Sequence, residues 1–266
     1  MESSEVRVYI VIPARLESSR LKRKLLLDLE GQPLILHTIQ RASQVGAHEV
    51  IVATDSEEIL NVVKGYCSRA ILTSAHHKSG SDRVAEVARK LPKNSVIVNL
   101  QADEPLISPT VIRTAIDEML KDKNIDITTT CEKINNIQDV LDPNVVKVVY
   151  DRKGFAIYFS RSPIPFPREE VMKYGSLEAA LKSNNRLLSI FRKHTGLYVY
   201  RQESLLKFSQ IGQTTLEKIE SLEQLRALEH SMKIKVLEVE GHSIGVDTEE
   251  DFKKVVEILK GRFGKL

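Results

Sequence analysis

Short apolar runs rich in β-branched residues alternate with amphipathic stretches over the first half of the chain. The apolar runs predict buried strands at 6–12, 50–53, 70–72 and 96–100. Stretches with apolar residues at helical spacing follow these runs and predict helices at 33–42, 56–64, 81–90 and 108–121. This alternation predicts an α/β fold of three layers, in which helices cover both faces of a mixed, mostly parallel central sheet.

The pattern changes after about residue 125. Strands are predicted at 127–130, 145–150 and 156–159, with a hairpin turn at 151–154 between the last two. The proline-rich segment 162–167 is predicted to be irregular, and the charged stretch up to 186 shows no clear pattern. A strand at 197–200, one helix at 216–229, a strand at 234–239 and a capped terminal helix after 247 complete the chain. We expect a single domain, 1–266, with an excursion at about 125–200.

Composition excludes several classes of protein. Of the 266 residues, 42% are hydrophobic and 28% charged, and the net charge of +3 is spread along the chain. This balance argues against a dedicated nucleic-acid-binding protein, which needs a concentrated basic face. Cys67 and Cys131 show neither zinc-site nor disulfide-framework spacing, which favours a reducing compartment. A polar, acidic start and the lack of any apolar stretch of about 20 residues predict no signal peptide, no membrane span and a cytoplasmic location.

A basic loop follows the first predicted strand and contains Arg15, Arg20 and Lys24. Ligands of open α/β sheets bind beyond the carboxyl ends of the strands, so this loop lies where a site is expected. The loop has no glycine-rich phosphate-binding motif, and a triphosphate there would be held by guanidinium and ammonium groups. The alternative is a solvated basic loop with no ligand.

Carboxylates follow two further strands. Asp103 and Glu104 come directly after the strand at 96–100, and Asp247 comes after Gly245 near the end of the chain. Hard oxygen ligands beside a triphosphate suit Mg²⁺. The alternatives are a turn at 103–105 and a helix N-cap at Asp247 or Thr248.

Arg161 and His194 lie at the ends of predicted strands in the second half of the chain and suit an anionic group of a substrate, or else surface ion pairs. We expect His37, His76 and His77 to be structural or exposed.

Nine segments, in order over nearly the whole chain, resemble the 3-deoxy-manno-octulosonate cytidylyltransferases, also called CMP-Kdo synthetases. They include Pro-Ala-Arg-x-x-Ser-x-Arg at 13–20, Asn-Leu-Gln-Ala-Asp-Glu-Pro at 99–105, His-Thr-Gly-Leu-Tyr at 194–198 and Gly-Val-Asp-Thr at 245–248. The others are 53–55, 79–83, 143–149, 158–165 and 216–226. The resemblance implies a nucleotide-diphospho-sugar transferase fold, a homodimer, Mg²⁺ as cofactor, CTP as donor and a role in lipopolysaccharide synthesis.

The resemblance also implies a mechanism and a role for each site residue. The anomeric hydroxyl of the acid sugar 3-deoxy-D-manno-octulosonate (Kdo) attacks the α-phosphorus of CTP, and pyrophosphate leaves. The implied catalytic residues are Arg15, Arg20, Lys24 and Asp103. The implied nucleotide-binding residues are Pro13, Ala14, Arg15, Ser79, Arg83 and Gln101. The implied sugar-binding residues are Arg161, His194, Tyr198, Glu223 and Gln224, and the implied metal ligands are Asp103 and Asp247.

The chain departs from the family pattern in two places. The usual Leu-Pro-x-Lys-Pro-Leu is replaced at 21–26 by a segment without proline, and Ala102 replaces a glycine. Two alternatives remain open: the same chemistry on a related acid sugar (8-amino-Kdo or a sialic acid), or a catalytically silent binding homologue. No general base is evident from the sequence.

Overall fold

The computed structural model describes residues 6–18, 20–240 and 244–263. Residues 1–5 and Ser19, which belong to the predicted polar start and to the 13–20 motif, lie outside the described residues. The described strands are β1 Val8–Ala14, β2 Asp28–Leu29, β3 Gln32–Pro33, β4 Glu49–Thr54, β5 Arg69–Leu72, β6 Val96–Asn99, β7 Ile127–Lys133, β8 Lys147–Tyr150, β9 Ala156–Ser160, β10 Arg192–Arg201 and β11 Ile234–Glu238. The described α-helices are α1 Leu34–Ser43, α2 Glu57–Val63, α3 Gly80–Ala88, α4 Pro109–Lys121, α5 Ile137–Leu141, α6 Arg168–Tyr174, α7 Leu177–Ser183, α8 Gln202–Gln210, α9 Thr215–Glu220, α10 Gln224–Glu229 and α11 Glu249–Phe263.

The central sheet is mixed, as predicted. Its strands lie in the order β11-β7-β10-β6-β1-β4-β5. Strand β1 pairs in parallel with β4 and β6, and β7 pairs in parallel with β11. Strand β10 is antiparallel to both β6 and β7, which makes it the exception among these seven strands. Strands β8 and β9 extend the sheet from β10 as an antiparallel hairpin.

The burial of strand β1 explains why polar and apolar residues do not alternate in the first apolar run. Ile10 and Ile12 pack into a core with helices α1, α2, α4 and α11 on one face of the sheet. Tyr9 and Val11 pack into a second core with α3, α8 and α10 on the other face. Because β1 is buried on both faces, every position in it must be apolar. The three-layer α/β prediction is confirmed.

The helix predicted at 216–229 is wrong as a single element. It is divided into α9 and α10 by Ser221, whose φ of 52° is left-handed. Arg161 donates from Nε to the carbonyl oxygen of Glu220 (2.6 Å) and from Nη2 to that of Ser221 (3.3 Å). These carbonyls are therefore bound by a side chain from a distant strand end instead of by the next helical turn. This break sets the position of Glu223 and Gln224.

The excursion is more ordered than its sequence indicated. The hairpin turn at 151–154 is confirmed, with Gly154 at φ 81° donating to the carbonyl of Asp151. The patternless stretch contains α6, α7 and a 3₁₀ helix, Asn185–Ile190. Phe191 and Leu181 belong to a small core that these helices share with α5. Strand β10 is also longer than predicted, with a bulge between His194 and Tyr198.

Candidate active site

A cleft of about 310 Å³ opens beyond the carboxyl ends of β1 and β6. It is lined by seven of the residues that the sequence assigned to nucleotide binding or catalysis: Pro13, Arg15, Lys24, Ser79, Arg83, Gln101 and Asp103. Ala14 is fully buried at the end of β1 and does not line the cleft. The carboxyl ends of parallel strands lie at one edge of a sheet, so residues far apart in sequence meet here.

Lys24 joins the two carboxylates that were predicted to bind metal. Its Nζ lies 2.5 Å from Oδ2 of Asp103 and 2.7 Å from Oδ1 of Asp247. Arg20, which does not line the cleft, pairs with the other oxygen of Asp247 at 2.8 Å. The backbone N–H of Val246 donates to the carbonyl of Asp103 (2.9 Å), which fixes the segment after β6 against the segment before α11. Three chain segments thus converge on one charged cluster.

The same cluster fits a divalent cation. The oxygens of Asp103 and Asp247 already contact one positively charged atom, so a single ion could contact both. Within the described residues no group of three or more His, Cys, Asp or Glu side chains could hold a metal, so phosphate oxygens and water would supply the remaining ligands of Mg²⁺. Burial would lower the pKa of Lys24, but the charges and hydrogen bonds of Asp103 and Asp247 outweigh it and raise that pKa.

Thr248, and not Asp247, caps helix α11 with its side chain. Its Oγ1 accepts a hydrogen bond from the N–H of Asp251 (3.2 Å), and the carboxylate of Asp251 accepts from the N–H of Thr248 (3.0 Å). This reciprocal arrangement satisfies donors at the start of the helix. The side chain of Asp247 is therefore available to Lys24 and Arg20.

Glu104 lies directly behind the charged cluster. Burial, reinforced by the charge of Asp103, raises the pKa of its carboxyl group to about 8. A Cβ atom added at Gly245 or Gly196 would lie 3.5 Å or 3.8 Å from its Oε1, so the backbone approaches this carboxyl group closely from two sides. The sequence offered Glu104, together with Asp103, as a possible oxygen ligand of Mg²⁺, and the family resemblance gave it no role.

The nucleotide side of the cleft is held by side-chain hydrogen bonds. Ser79 caps α3 by accepting from the N–H of Asp82 (3.2 Å). Arg83 is fully buried and donates to Asp55 (2.6 Å) and Thr73 (2.5 Å). Asp55 and Thr73 directly follow β4 and β5, so Arg83 fixes the ends of two neighbouring strands. A Cβ atom added at Gly80 would lie 3.4 Å from Pro13, so the start of α3 lies close to the end of β1.

Of the described residues predicted to bind the sugar, only Glu223 lines this cleft or the larger one beside it. The larger cleft, of about 700 Å³, shares Lys78 and Ser79 with the first. Glu223 accepts hydrogen bonds from Ser79 (2.8 Å) and Ser81 (2.9 Å). Burial raises its pKa, against the lowering effect of these two hydrogen bonds.

The other predicted sugar ligands line neither cleft, and Arg161, His194 and Tyr198 are half-buried. His194 Nε2 is 2.9 Å from Oγ1 of Thr129, and burial lowers the pKa of His194 to about 3, so its ring is neutral. Its ring packs against Phe159 and Tyr198 at centroid distances of 4.9 and 5.4 Å. Gln224 is buried at the start of α10. Arg161 donates to the carbonyl of Pro143 (2.9 Å) in addition to those of Glu220 and Ser221.

Comparison with known proteins identifies the family. The cytidylyltransferase family model matches residues 9–234. The chain is 45% identical to the 3-deoxy-manno-octulosonate cytidylyltransferase of Geotalea daltonii, over 97% of this chain and all of that protein. It is 41% identical to the protein of the same name from Haemophilus influenzae, over 94% of this chain and 97% of that one. The chain belongs to the 3-deoxy-manno-octulosonate cytidylyltransferase family.

Solved structures agree with this membership. A CMP:2-keto-3-deoxy-manno-octonic acid synthetase complexed with CTP has a TM-score of 0.85 and 38% identity, covering 96% of this cytidylyltransferase and 99% of that chain. The 4-diphosphocytidyl-2C-methyl-D-erythritol synthase of Anaerococcus prevotii shares the fold, with a TM-score of 0.61 at 13% identity. The nucleotide-diphospho-sugar transferase fold is confirmed. In the described part of this cytidylyltransferase, no helix has the length and apolar character needed to cross a membrane.

Sequence reasoning assigned no role to three basic residues of this cytidylyltransferase that line the larger cleft. Lys78 directly precedes the 79–83 motif and lines both clefts. Arg226 is buried, binds both carboxylate oxygens of Glu217 (2.8 and 2.6 Å) and lies 3.4 Å from Glu223. Lys218 lines the larger cleft from α9. The sequence held a signal for each of them, because Lys78 adjoins the 79–83 motif and Lys218 and Arg226 lie within the 216–226 segment.

Proposed function

We propose that this cytidylyltransferase transfers CMP from CTP to the anomeric hydroxyl of Kdo, producing CMP-Kdo and pyrophosphate for lipopolysaccharide synthesis. The observation that carries the proposal is the convergence of Lys24, Asp103 and Asp247 in the cleft of a chain belonging to this family. The full-length relatives and the CTP-bound structure described above support CTP as donor and Kdo as acceptor.

The triphosphate would lie against the basic loop. Arg15 and Lys24 line the cleft, and Arg20 is close enough to pair with Asp247. Guanidinium groups can bind phosphate oxygens through two parallel hydrogen bonds, and an ammonium group acts as a point charge. These residues would neutralise the phosphates and orient the α-phosphorus for in-line attack. Positioning and charge stabilisation then supply most of the rate enhancement.

The base and ribose would lie toward Pro13, Ala14, Ser79, Arg83 and Gln101. Gln101 donates to the side chain of Asn99 (3.2 Å), which restrains its amide at the cleft wall. Arg83 is fixed by Asp55 and Thr73, so this part of the cleft is ordered before a ligand binds. An ordered pocket lowers the entropic cost of binding the nucleotide.

Asp103 and Asp247 would hold Mg²⁺ as cofactor, together with phosphate oxygens of CTP. Bound there, Mg²⁺ supplies charge neutralisation at the phosphate oxygens during transfer. The chain's own contribution is to orient the two carboxylates. The 2.9 Å backbone hydrogen bond between Val246 and Asp103 fixes the two segments against each other. The helix cap at Thr248 leaves the carboxylate of Asp247 available.

The acid sugar would bind on the side of Arg161, His194, Tyr198, Glu223 and Gln224. The guanidinium of Arg161 has five donors, of which three contact carbonyl oxygens, so two remain for a carboxylate. Glu223 lines the larger cleft and can accept hydrogen bonds from sugar hydroxyls. We infer that sugar binding needs rearrangement near His194 and Tyr198, because both are half-buried and neither lines a cleft in this structure.

The proposal includes a homodimer acting in the cytoplasm. Large apolar side chains are exposed on the excursion: Ile157 is 62%, Phe166 59% and Met172 72% exposed. Surface of this kind is characteristic of contacts between subunits.

Pyrophosphate release, measured with each nucleoside triphosphate against Kdo, 8-amino-Kdo and sialic acid, tests the activity. We expect CTP and Kdo to give the highest kcat/KM. Faster use of ATP or UTP would refute CTP as the donor. Faster use of 8-amino-Kdo or sialic acid would favour a cytidylyltransferase that acts on that sugar. If folded protein in the presence of Mg²⁺ released no pyrophosphate with any pair of nucleotide and sugar, the chain would be a catalytically silent homologue.

A further inference from the structure

Lys24 occupies the position between the two carboxylates that are proposed to bind magnesium. Its Nζ is within 2.7 Å of an oxygen of each, and its side chain is only 12% exposed. Charge-assisted hydrogen bonds in a sheltered site are stronger than those between exposed groups. The ammonium group of Lys24 is thus the cation shared by Asp103 and Asp247, while Arg20 pairs with the other oxygen of Asp247 alone.

A metal ion and this ammonium group cannot both contact the same pair of carboxylates. Mg²⁺ binds oxygen at about 2.0–2.1 Å, which would place it against Nζ of Lys24. Two positive charges at such a distance repel each other strongly where water is partly excluded. Any ion shared by Asp103 and Asp247 must therefore displace Lys24.

The triphosphate is the ligand proposed to occupy the cleft of Lys24, and its negative charge could draw the ammonium group away from the carboxylates. Lys24 lines the nucleotide cleft, so it can reach a phosphate from the same backbone position. Residues 20–23 before it form turns that are largely exposed, while Leu25 after it is buried. The lysine side chain can therefore change partner while the chain remains anchored in the core.

We propose that Lys24 excludes a divalent cation from Asp103 and Asp247 until CTP binds, and that the triphosphate then takes Lys24 as its own partner and admits the metal. This inference rests on the proposed use of CTP and Mg²⁺. Because coupling between two ligands is reciprocal, the cation and the nucleotide each promote binding of the other. Without nucleotide, the cleft binds a divalent cation poorly.

Binding of Mn²⁺ to nucleotide-free protein tests the proposal without measuring catalysis. Free Mn²⁺ is followed by electron paramagnetic resonance as protein is added. We expect weak binding to the wild type and an affinity higher by about tenfold or more for Lys24→Gln, which removes the competing charge. Lys24→Arg should bind Mn²⁺ as weakly as the wild type. Lys22→Gln is the matched control, because it removes an equal charge from an exposed position two residues away.

Two further results decide the interpretation. The double variant Lys24→Gln with Asp103→Asn should bind Mn²⁺ as weakly as the wild type. This result would show that the higher affinity of Lys24→Gln depends on these carboxylates. The proposal is overturned if Lys24→Gln gains no Mn²⁺ affinity, if Lys22→Gln gains as much, or if the double variant keeps the gain. Neither nucleotide nor sugar is present, so an error in the proposed substrates would leave this result unchanged and would appear only in the pyrophosphate assay.

Discussion

The side-chain hydroxyl of Ser79 donates a 2.8 Å hydrogen bond to the carboxylate of Glu223, 144 residues further along the chain. Ser81 donates to the other carboxylate oxygen at 2.9 Å. Ser79 lines the nucleotide cleft, and Glu223 is predicted to contact the sugar. One carboxylate therefore connects the two proposed substrate sites.

Glu223→Gln should consequently weaken CTP binding as well as use of the sugar. The amide keeps one acceptor oxygen, so it cannot accept from Ser79 and Ser81 in the same way. Loss of one hydrogen bond should lower CTP affinity about twofold to tenfold in calorimetry without sugar. Ser81→Ala, which keeps the charge of Glu223, should give a similar or smaller loss. If Glu223 serves the sugar alone, CTP affinity will be unchanged while KM for the sugar rises.

Arg161→Ala should reduce use of the sugar far more than binding of CTP. Loss of a charge-assisted hydrogen bond to the sugar carboxylate, about 1.5–3 kcal/mol, should lower kcat/KM at least tenfold. The same variant loses the contacts to the carbonyls of Pro143, Glu220 and Ser221, so the free energy of unfolding in urea should also fall, by about 1.5–3 kcal/mol. An equal loss of CTP affinity would instead assign Arg161 to the nucleotide.

The contacts of Arg161 also show what the sequence could and could not predict. Strand β1 was predictable because a strand buried on both faces must consist of apolar residues, and this is visible in its own sequence. The break at Ser221 was not, because it depends on a side chain about 60 residues earlier that binds helix carbonyls. For the candidate site, the motifs proposed Lys24, Asp103 and Asp247 individually. Their pairing was hidden, because it depends on how three distant segments meet.

His194 should make stability fall as pH decreases. Its ring is buried and neutral, with its pKa lowered to about 3 from an ordinary 6.5. Between these values the unfolded chain binds a proton that the folded protein does not, so stability is present above 6.5 and is lost as pH falls toward 3. The slope from this group is at most about 1.4 kcal/mol per pH unit. His194→Asn should flatten the urea-unfolding profile in this range, whereas His76→Asn, at an exposed position, should leave it unchanged.

Light scattering at micromolar concentration should give twice the 30.1 kDa mass of the chain. The exposed Phe166 and Met172 are the proposed contact, so Met172→Asp should shift the mass toward one chain. Tyr66→Asp, at an exposed apolar position after α2, is the control and should not. A wild-type mass near 30.1 kDa would contradict the homodimer.

The contact between Lys24 and both Asp103 and Asp247 leads to a test of the shared metal ion. Asp103→Asn and Asp247→Asn preserve shape and remove charge, so both variants should fold. Activity should fall by orders of magnitude in each, because charge stabilisation by the metal contributes several kcal/mol in the transition state.

Thr248→Ala separates this effect from helix capping. Thr248 supplies the side-chain cap of α11, so its removal should cost about 1 kcal/mol of stability and leave the magnesium dependence of pyrophosphate release unchanged. Asp247→Asn should do the reverse, with stability kept and activity lost, since its side chain faces Lys24 and Arg20. A fully active Asp247→Asn enzyme with unchanged magnesium dependence would refute the shared metal ion, whatever Asp103→Asn did. In that case Asp247 would serve only to hold the basic loop through its two ion pairs.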